Sequence, residues 1–245
     1  MSSAPVVTIS YSDLVNFAGD GQSVTTSSRC VLENIALAFG QEQPHSLGIV
    51  AITDVPTLTA KRRRLLPMAR QVALLENKTE VICETSNYQT GWSHGKESFA
   101  GKPDLAKGSF YANPLIDDLS TIRQDIPAAF REKNPGFFAP NVWPLESIPE
   151  LEGAFKDLAL LVIQVGRLLA KPCDAYVARH CTGYDCHKLT TLLEDSKFCK
   201  ARLLHYFPVD HANDKDNNSD SCSDWCGWHN DHVSVDDQLT LLSQI

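Results

Sequence analysis

A histidine and an aspartate stand two positions apart in the segment WCGWHND, residues 225–231. If the segment is a strand, alternate side chains share a face, so His229 and Asp231 point the same way with about 6.5 Å of rise between them. An imidazole and a carboxylate so placed supply two ligands of the 2-His-1-carboxylate triad, which binds Fe(II) and leaves open positions. The third ligand must be a histidine from a distant strand. On spacing alone, an exposed polar strand end is the more common origin of such a pair.

A zinc site is an alternative use of the same region. The ligand types that Zn²⁺ prefers are present in Cys222, Cys226, His229 and His232. In an extended strand, Cys226 and His232 face away from His229, so the four side chains converge only if the strand is abandoned. Strand geometry therefore favours the iron ligands over the zinc site. Tight zinc binding, with loss of the fold when the zinc is chelated, would favour the zinc site.

Composition narrows the class of protein. The 245 residues are 43% hydrophobic, enough for a core of ordinary size, and the formal net charge of −8 counts against nucleic-acid binding through phosphate contacts. The first 12 residues lack the charged and apolar regions of a signal peptide, and the longest strongly apolar stretch, 158–166, is too short to cross a bilayer. We therefore expect a cytoplasmic protein with reduced cysteines and without nucleic-acid or membrane partners.

Hydrophobic periodicity predicts helices first and strands afterwards. The predicted helices cover 28–39, 58–76, the residues from 149 to a stop or bend at Pro172, and 187–195. The predicted strands are one within 5–14 that runs into a helix capped by Ser10 or Ser12, one between Gly48 and Pro56, and 201–208. Residues 84–148 are predicted to be irregular, and 209–224 to form an exposed loop. This order predicts an α+β fold.

Eight segments, spread from residue 5 to residue 232, resemble one protein family in the family's own order. They are VVTISYSDL, LGIVAITDVP, GWSHGKE, KGSFYANPLID, NVWP, PELEGAFKDL, RLLHYFP and WCGWHNDH. The chain thereby resembles the non-haem Fe(II)- and 2-oxoglutarate-dependent oxygenases of the isopenicillin N synthase-like type, and in particular a plant group among them. Because the segments cover almost the whole chain, they are together far more specific than the His-x-Asp pair.

The resemblance implies a fold and an activity. The fold is a helical N-terminal region, residues 1–199, packed on a double-stranded β-helix, or jelly-roll, that begins within residues 200–245. The activity is that of an oxidoreductase, a dioxygenase that uses Fe(II) and dioxygen to hydroxylate or otherwise oxidise a small organic substrate. The cosubstrate 2-oxoglutarate is converted to succinate and CO2. The iron supplies the reactive chemistry, and no side chain is assigned a catalytic role of its own.

Three residues of this chain match site residues of the family. His229 and Asp231 match the first two iron ligands. Tyr206 matches a tyrosine that hydrogen-bonds the far carboxylate of 2-oxoglutarate in many relatives, and its alternative role is a core aromatic at a strand end. Those relatives often carry an asparagine where this chain has Leu204. A loop with packing and capping functions is expected for three residues of the plant group's signature: Trp92, His94 and Lys96.

The sequence departs from the family after Asp231. The only later histidine, His232, belongs to the opposite strand face, and the distal histidine ligand and the arginine that grips 2-oxoglutarate are absent. We therefore expect an oxygenase domain that is cut short and inactive as it stands. The alternative is a non-catalytic isoform that binds a partner or interferes with the full-length enzyme. The tail, 233–245, is interpreted as translated intron, as a gene-model error, or as a four-residue insertion before a displaced strand, LTLLSQ.

Overall fold

The computed structural model of the protein describes residues 5–19, 26–40, 46–99, 102–121 and 126–208. Its α-helices are α1 (Tyr11–Gly19), α2 (Thr26–Phe39), α3 (Leu58–Leu74), α4 (Ala128–Lys133), α5 (Pro135–Phe138), α6 (Leu151–His180) and α7 (Lys188–Asp195). Its strands are β1 (Val7–Ser10), β2 (Val50–Thr53), β3 (Gly91–His94), β4 (Ser98–Phe99), β5 (Lys102–Pro103), β6 (Lys107–Ala112) and β7 (Ala201–Tyr206). Helices and small separate sheets are mixed, which confirms the α+β class.

Two expectations about these elements need correction. The stop that was one of two possibilities at Pro172 does not occur, because α6 continues to His180, and the other possibility, a bend at Pro172, stays a prediction. A proline removes one helical hydrogen bond, yet Pro172 is fully buried and the next turn packs into the core through Cys173 and Tyr176, so tertiary packing prevails. The segment 84–148 is not irregular throughout, because it contains β3 and β6. None of the helices in the described ranges is both long and apolar enough to span a bilayer.

The described residues form two compact units, and the first comprises 5–19, 26–40, 46–59 and 161–196. In it, β1 and β2 pair in parallel, with Val7 opposite Val50. Ser10 caps α1 as one of the two predicted candidates, since the Asp13 backbone N–H donates to its Oγ at 3.1 Å. The core of this unit is formed by Ile9, Leu14, Val31 and Ile35, with Leu168, Leu169, Cys173 and Tyr176 of α6 packed against it.

A buried carboxylate fixes the start of α7 in the same unit. Asp174 is only 1% exposed, and four groups donate hydrogen bonds to it. Its Oδ1 accepts from the Tyr184 hydroxyl at 2.7 Å and the Leu189 N–H at 2.9 Å. Its Oδ2 accepts from the Thr190 N–H at 2.9 Å and the Thr190 hydroxyl at 2.7 Å. Burial acts to raise the pKa of Asp174, but these hydrogen bonds outweigh it and the pKa is lowered.

The second unit comprises 60–99, 102–121, 126–160 and 197–208 and is built on an antiparallel sheet in the order β3-β6-β7. Its core contains Leu65, Met68 and Val72 of α3, Leu151 and Phe155 of α6, and Trp92, Phe110 and Leu203 of the sheet. A side chain at Gly108 would collide with the Trp92 ring, so glycine is required where the indole crosses β6.

The predicted division at 199/200 and the jelly-roll concern a region that is only partly described. β7 pairs with β6 from Ala201–Ala112 to Tyr206–Lys107, so the sheet combines residues from both sides of position 200. A jelly-roll is not seen in the described part of the chain, and residues 209–245 lie outside that part. The division and the jelly-roll both stay predictions.

Candidate functional site

The predicted iron ligands, His229 and Asp231, lie outside the described residues, as do all four residues of the alternative zinc site and the tail 233–245. Among the residues that are described, no group of three or more His, Cys, Asp or Glu side chains could hold a metal ion. The predicted site residue with a described position is therefore Tyr206, at the end of β7.

The two faces of β7 differ in character. Leu203 is 4% exposed and belongs to the core of the second unit. Because side chains alternate along a strand, Arg202, Leu204 and Tyr206 share the opposite face. Tyr206 is 36% exposed and is not a member of the core cluster. The structure therefore places the tyrosine on the face of the sheet that is turned away from the core.

This outer face continues across the neighbouring strands and is rich in polar groups. In the register of β6 and β7, Tyr111 is opposite Arg202, Ser109 is opposite Leu204, and Lys107 is opposite Tyr206. Ser93 of β3 is in turn opposite Ser109. We call the set Ser93, Lys107, Ser109, Tyr111, Arg202, Leu204 and Tyr206 the outer face.

Arg202 is the centre of a hydrogen-bond network on the outer face. Its Nε and Nη2 donate to Ser109 Oγ at 2.9 and 2.7 Å, and its Nη2 forms an ion pair with Glu97 Oε2 at 3.2 Å. The centre of the guanidinium lies 5.2 Å from the centre of the Tyr111 ring, within the range of a cation–π contact. The guanidinium is thus fixed from three sides while a third of the side chain stays exposed.

Tyr111 completes the network from the side of β6. Its hydroxyl donates to Glu97 Oε1 at 2.6 Å. Burial, and then the hydrogen bond to the Glu97 carboxylate, raise the pKa of Tyr111 to about 12. The phenol therefore remains protonated near neutral pH and keeps donating to Glu97.

The three residues Trp92, His94 and Lys96, for which packing functions are predicted, all contact neighbouring side chains or backbone. Trp92 is 5% exposed in the core, and the His94 ring stacks on Phe207 at 4.6 Å between centroids, with its Nε2 3.0 Å from the Leu105 carbonyl oxygen. Lys96 lies 4.3 Å from the centre of the Tyr88 ring. The expected loop is wrong for Trp92 and His94, which belong to β3, whereas the expected packing function is confirmed.

Three other family-like segments meet at Asp117. Its carboxylate accepts hydrogen bonds from Asn141 Nδ2 at 2.9 Å, Trp143 Nε1 at 2.9 Å and Lys156 Nζ at 2.7 Å. Burial opposes ionisation of Asp117, but these donors together lower its pKa. The segments KGSFYANPLID, NVWP and PELEGAFKDL are thus joined by one carboxylate, which indicates a structural reason for their composition.

Sequence reasoning missed the network around Arg202. Glu97, Ser109, Tyr111 and Arg202 all lie within segments that resemble the family, yet none was selected. One signal was present, because the alternation in RLLHYFP puts Arg202 on the same face as Tyr206. The partners on β6 could not be deduced, since they are far from Arg202 in the sequence: Ser109 is 93 residues away.

No protein-family model matches the chain, and no curated protein matches it.

Proposed function

We propose that the chain is part of an Fe(II)- and 2-oxoglutarate-dependent oxygenase of the isopenicillin N synthase-like type. Such an enzyme uses dioxygen to hydroxylate or otherwise oxidise a small organic substrate and releases succinate and CO2. The proposal is supported by the eight segments that resemble the family and by the chemistry of the His229 and Asp231 pair.

The position of Tyr206 is the structural observation that carries the proposal. Two roles were open for this side chain, a core aromatic and a ligand to 2-oxoglutarate. Tyr206 is 36% exposed on the outer face, while Leu203 of the same strand enters the core. A tyrosine in the core could not donate to a bound carboxylate, so the exposed position favours the cosubstrate role.

The proposed jelly-roll begins at β7. Jelly-rolls are built from antiparallel strands whose side chains alternate between the interior and the exterior. β7 is antiparallel to β6, and one of its faces carries the buried Leu203 while the other carries the exposed Arg202 and Tyr206. In this proposal the outer face becomes the inner wall of the cavity, and residues 209–245 contribute the strand that carries His229 and Asp231.

The residue types present fit the proposed iron and cosubstrate. His229 and Asp231 would hold Fe(II), and the Tyr206 hydroxyl would donate a hydrogen bond to the far carboxylate of 2-oxoglutarate. When bound, the metal supplies the activation of dioxygen. The contribution of the chain is to bind the two groups, to orient the cosubstrate through Tyr206 and to exclude water from the cavity. The second histidine of the triad comes, in relatives, from a strand further along.

Anaerobic Fe(II) binding to the 245-residue chain tests the proposed ligands. We expect His229→Ala and Asp231→Ala each to weaken Fe(II) binding at least about tenfold, measured by equilibrium dialysis. His187→Ala and Asp195→Ala change exposed residues of the same types and should leave binding unchanged. Equal Fe(II) affinity in all five proteins would refute the assignment, and a folded chain that binds neither metal nor cosubstrate would favour the non-catalytic isoform.

The role of Tyr206 needs a separate measurement. Tyr206→Phe removes one hydrogen bond to a charged group, so 2-oxoglutarate affinity in the presence of Fe(II) should fall about tenfold with Fe(II) affinity unchanged. Tyr11→Phe is the matched control. A Tyr206→Phe variant that binds 2-oxoglutarate as tightly as the unmodified chain would exclude this role.

A further inference from the structure

We infer that Arg202 is a carboxylate-binding residue and that the ligand it receives is the organic substrate, a small carboxylic acid with an apolar body. The identification of the ligand as the substrate rests on the proposed function. The capacity of the outer face to bind a carboxylate does not, and it is argued from the geometry of the described residues alone.

The guanidinium of Arg202 is held in place with part of its donor set unused. Nε and Nη2 are occupied by Ser109 and Glu97, whereas Nη1 donates to no residue that the structure describes. The two N–H groups of Nη1 therefore remain to donate to a ligand, and hydrogen bonds from a guanidinium to a carboxylate are charge-assisted and strong. Because Ser109, Glu97 and the Tyr111 ring already fix the group, little side-chain entropy is lost when a ligand binds.

The neighbours of Arg202 define the rest of the ligand. Ser109, which the guanidinium contacts, is the cross-strand partner of Leu204, so the cation lies beside an apolar side chain. Tyr206 follows on the same face, about 6.6 Å further along the strand from Leu204. A ligand whose carboxylate contacts Arg202 can therefore place an apolar body against Leu204 and direct its far end toward Tyr206, where the proposed cosubstrate lies.

The charge of Glu97 affects how tightly Arg202 can bind a carboxylate. Its carboxylate orients the guanidinium, but it also opposes the approach of a second anion. The substitution Glu97→Gln keeps an oxygen that accepts from Arg202 and Tyr111 while it removes the negative charge. A binding role for Arg202 thus predicts that Glu97→Gln increases carboxylate affinity, whereas a purely structural role predicts no increase.

The experiment uses 3-phenylpropanoate as the probe and the 245-residue chain without metal or cosubstrate. Binding is followed by ligand-observed NMR, with the uncharged 3-phenylpropanamide as the ligand control. We expect Arg202→Ala to weaken binding of the acid about tenfold and Glu97→Gln to strengthen it about threefold. Arg63→Ala, which removes an exposed arginine of α3, is the matched protein control.

The possible outcomes separate this inference from the proposed function. Arg202→Lys retains the positive charge, so it tests the inference even if Arg202→Ala fails to fold. Absence of binding by the unmodified chain, equal binding by Arg202→Ala, or equal binding of acid and amide would overturn the inference. If Arg202→Ala instead weakens 2-oxoglutarate binding and spares the probe, Arg202 serves the cosubstrate and the inference is wrong. Loss of Fe(II) binding alone would refute only the proposed function.

Discussion

Each unit has a polar network with a charged group at its centre: the Asp174 carboxylate in the first unit and the Arg202 guanidinium in the second. The two groups differ in burial and in how many of their hydrogen-bonding positions are occupied. Asp174 is 1% exposed, and both of its oxygens accept two hydrogen bonds. Arg202 is a third exposed and has a nitrogen without a partner in the described chain. A saturated, buried network stabilises the fold, whereas an oriented group with unused donors is suited to a ligand.

Asp174→Ala should have the largest effect on stability. The substitution leaves four donors without their acceptor: the Tyr184 hydroxyl, the Leu189 N–H, and the N–H and hydroxyl of Thr190. A fully buried donor that loses its partner costs about 1–3 kcal/mol, and here the Thr190 donors are buried while the other two are part-buried. We therefore expect a loss of about 3 kcal/mol in the free energy of unfolding. Urea unfolding followed by far-UV circular dichroism measures it. A loss below about 1 kcal/mol would contradict the structural role.

The same carboxylate predicts a pH dependence. Since the pKa of Asp174 is lower in the folded than in the unfolded chain, its contribution is present above the unfolded value and is lost as pH falls through the folded value. The unmodified chain should therefore lose stability below about pH 4 more steeply than Asp174→Ala. Parallel curves of unfolding free energy against pH for the two proteins would show that Asp174 does not carry this dependence.

Asp117→Ala is the intermediate case. Asp117 accepts three side-chain donors, but its side chain is 52% exposed, so water can replace the lost acceptor. We expect a loss of about 1 kcal/mol, measured by the same unfolding experiment. A loss of stability as large as that of Asp174→Ala would show that burial does not determine how strongly each substitution destabilises the fold.

Arg202→Ala should have the smallest effect on stability. Its ion pair with Glu97 is exposed, and exposed pairs contribute about 0–1 kcal/mol. Ser109 also loses two hydrogen bonds, but the removal of the arginine side chain opens its hydroxyl to water, which can replace them. The unfolding free energy should change by less than about 1 kcal/mol while the affinity for 3-phenylpropanoate falls. A large destabilisation without a change in affinity for 3-phenylpropanoate would show that Arg202 stabilises the fold, as Asp174 does, and does not bind the carboxylate.

The sequence predicted the elements that depend on local pattern. The helices α2, α3 and α7 and the strand β7 were placed within a few residues, and Ser10 was one of two candidates for the α1 cap. Helical periodicity, helix caps and strand alternation depend only on residues that are close in the sequence, so they can be recognised without knowledge of the fold.

What the sequence could not predict depends on contacts between distant residues. α6 continues through Pro172 because its next turn is packed in a core. The Arg202 network requires the pairing of β6 with β7, and the Asp174 cluster requires that a turn fold back onto α6. The predicted ligands His229 and Asp231 lie outside the described residues and stay predictions.

The most direct test of the proposed oxygenase asks whether a metal binds beside Tyr206. Mn²⁺, a paramagnetic substitute for Fe(II), broadens the NMR signals of nearby amides. We predict that added Mn²⁺ broadens the backbone signals of Leu204, His205 and Tyr206 in the unmodified chain and not in His229→Ala. Broadening confined to other acidic surfaces, or broadening of β7 that persists in His229→Ala, would contradict the proposed iron site.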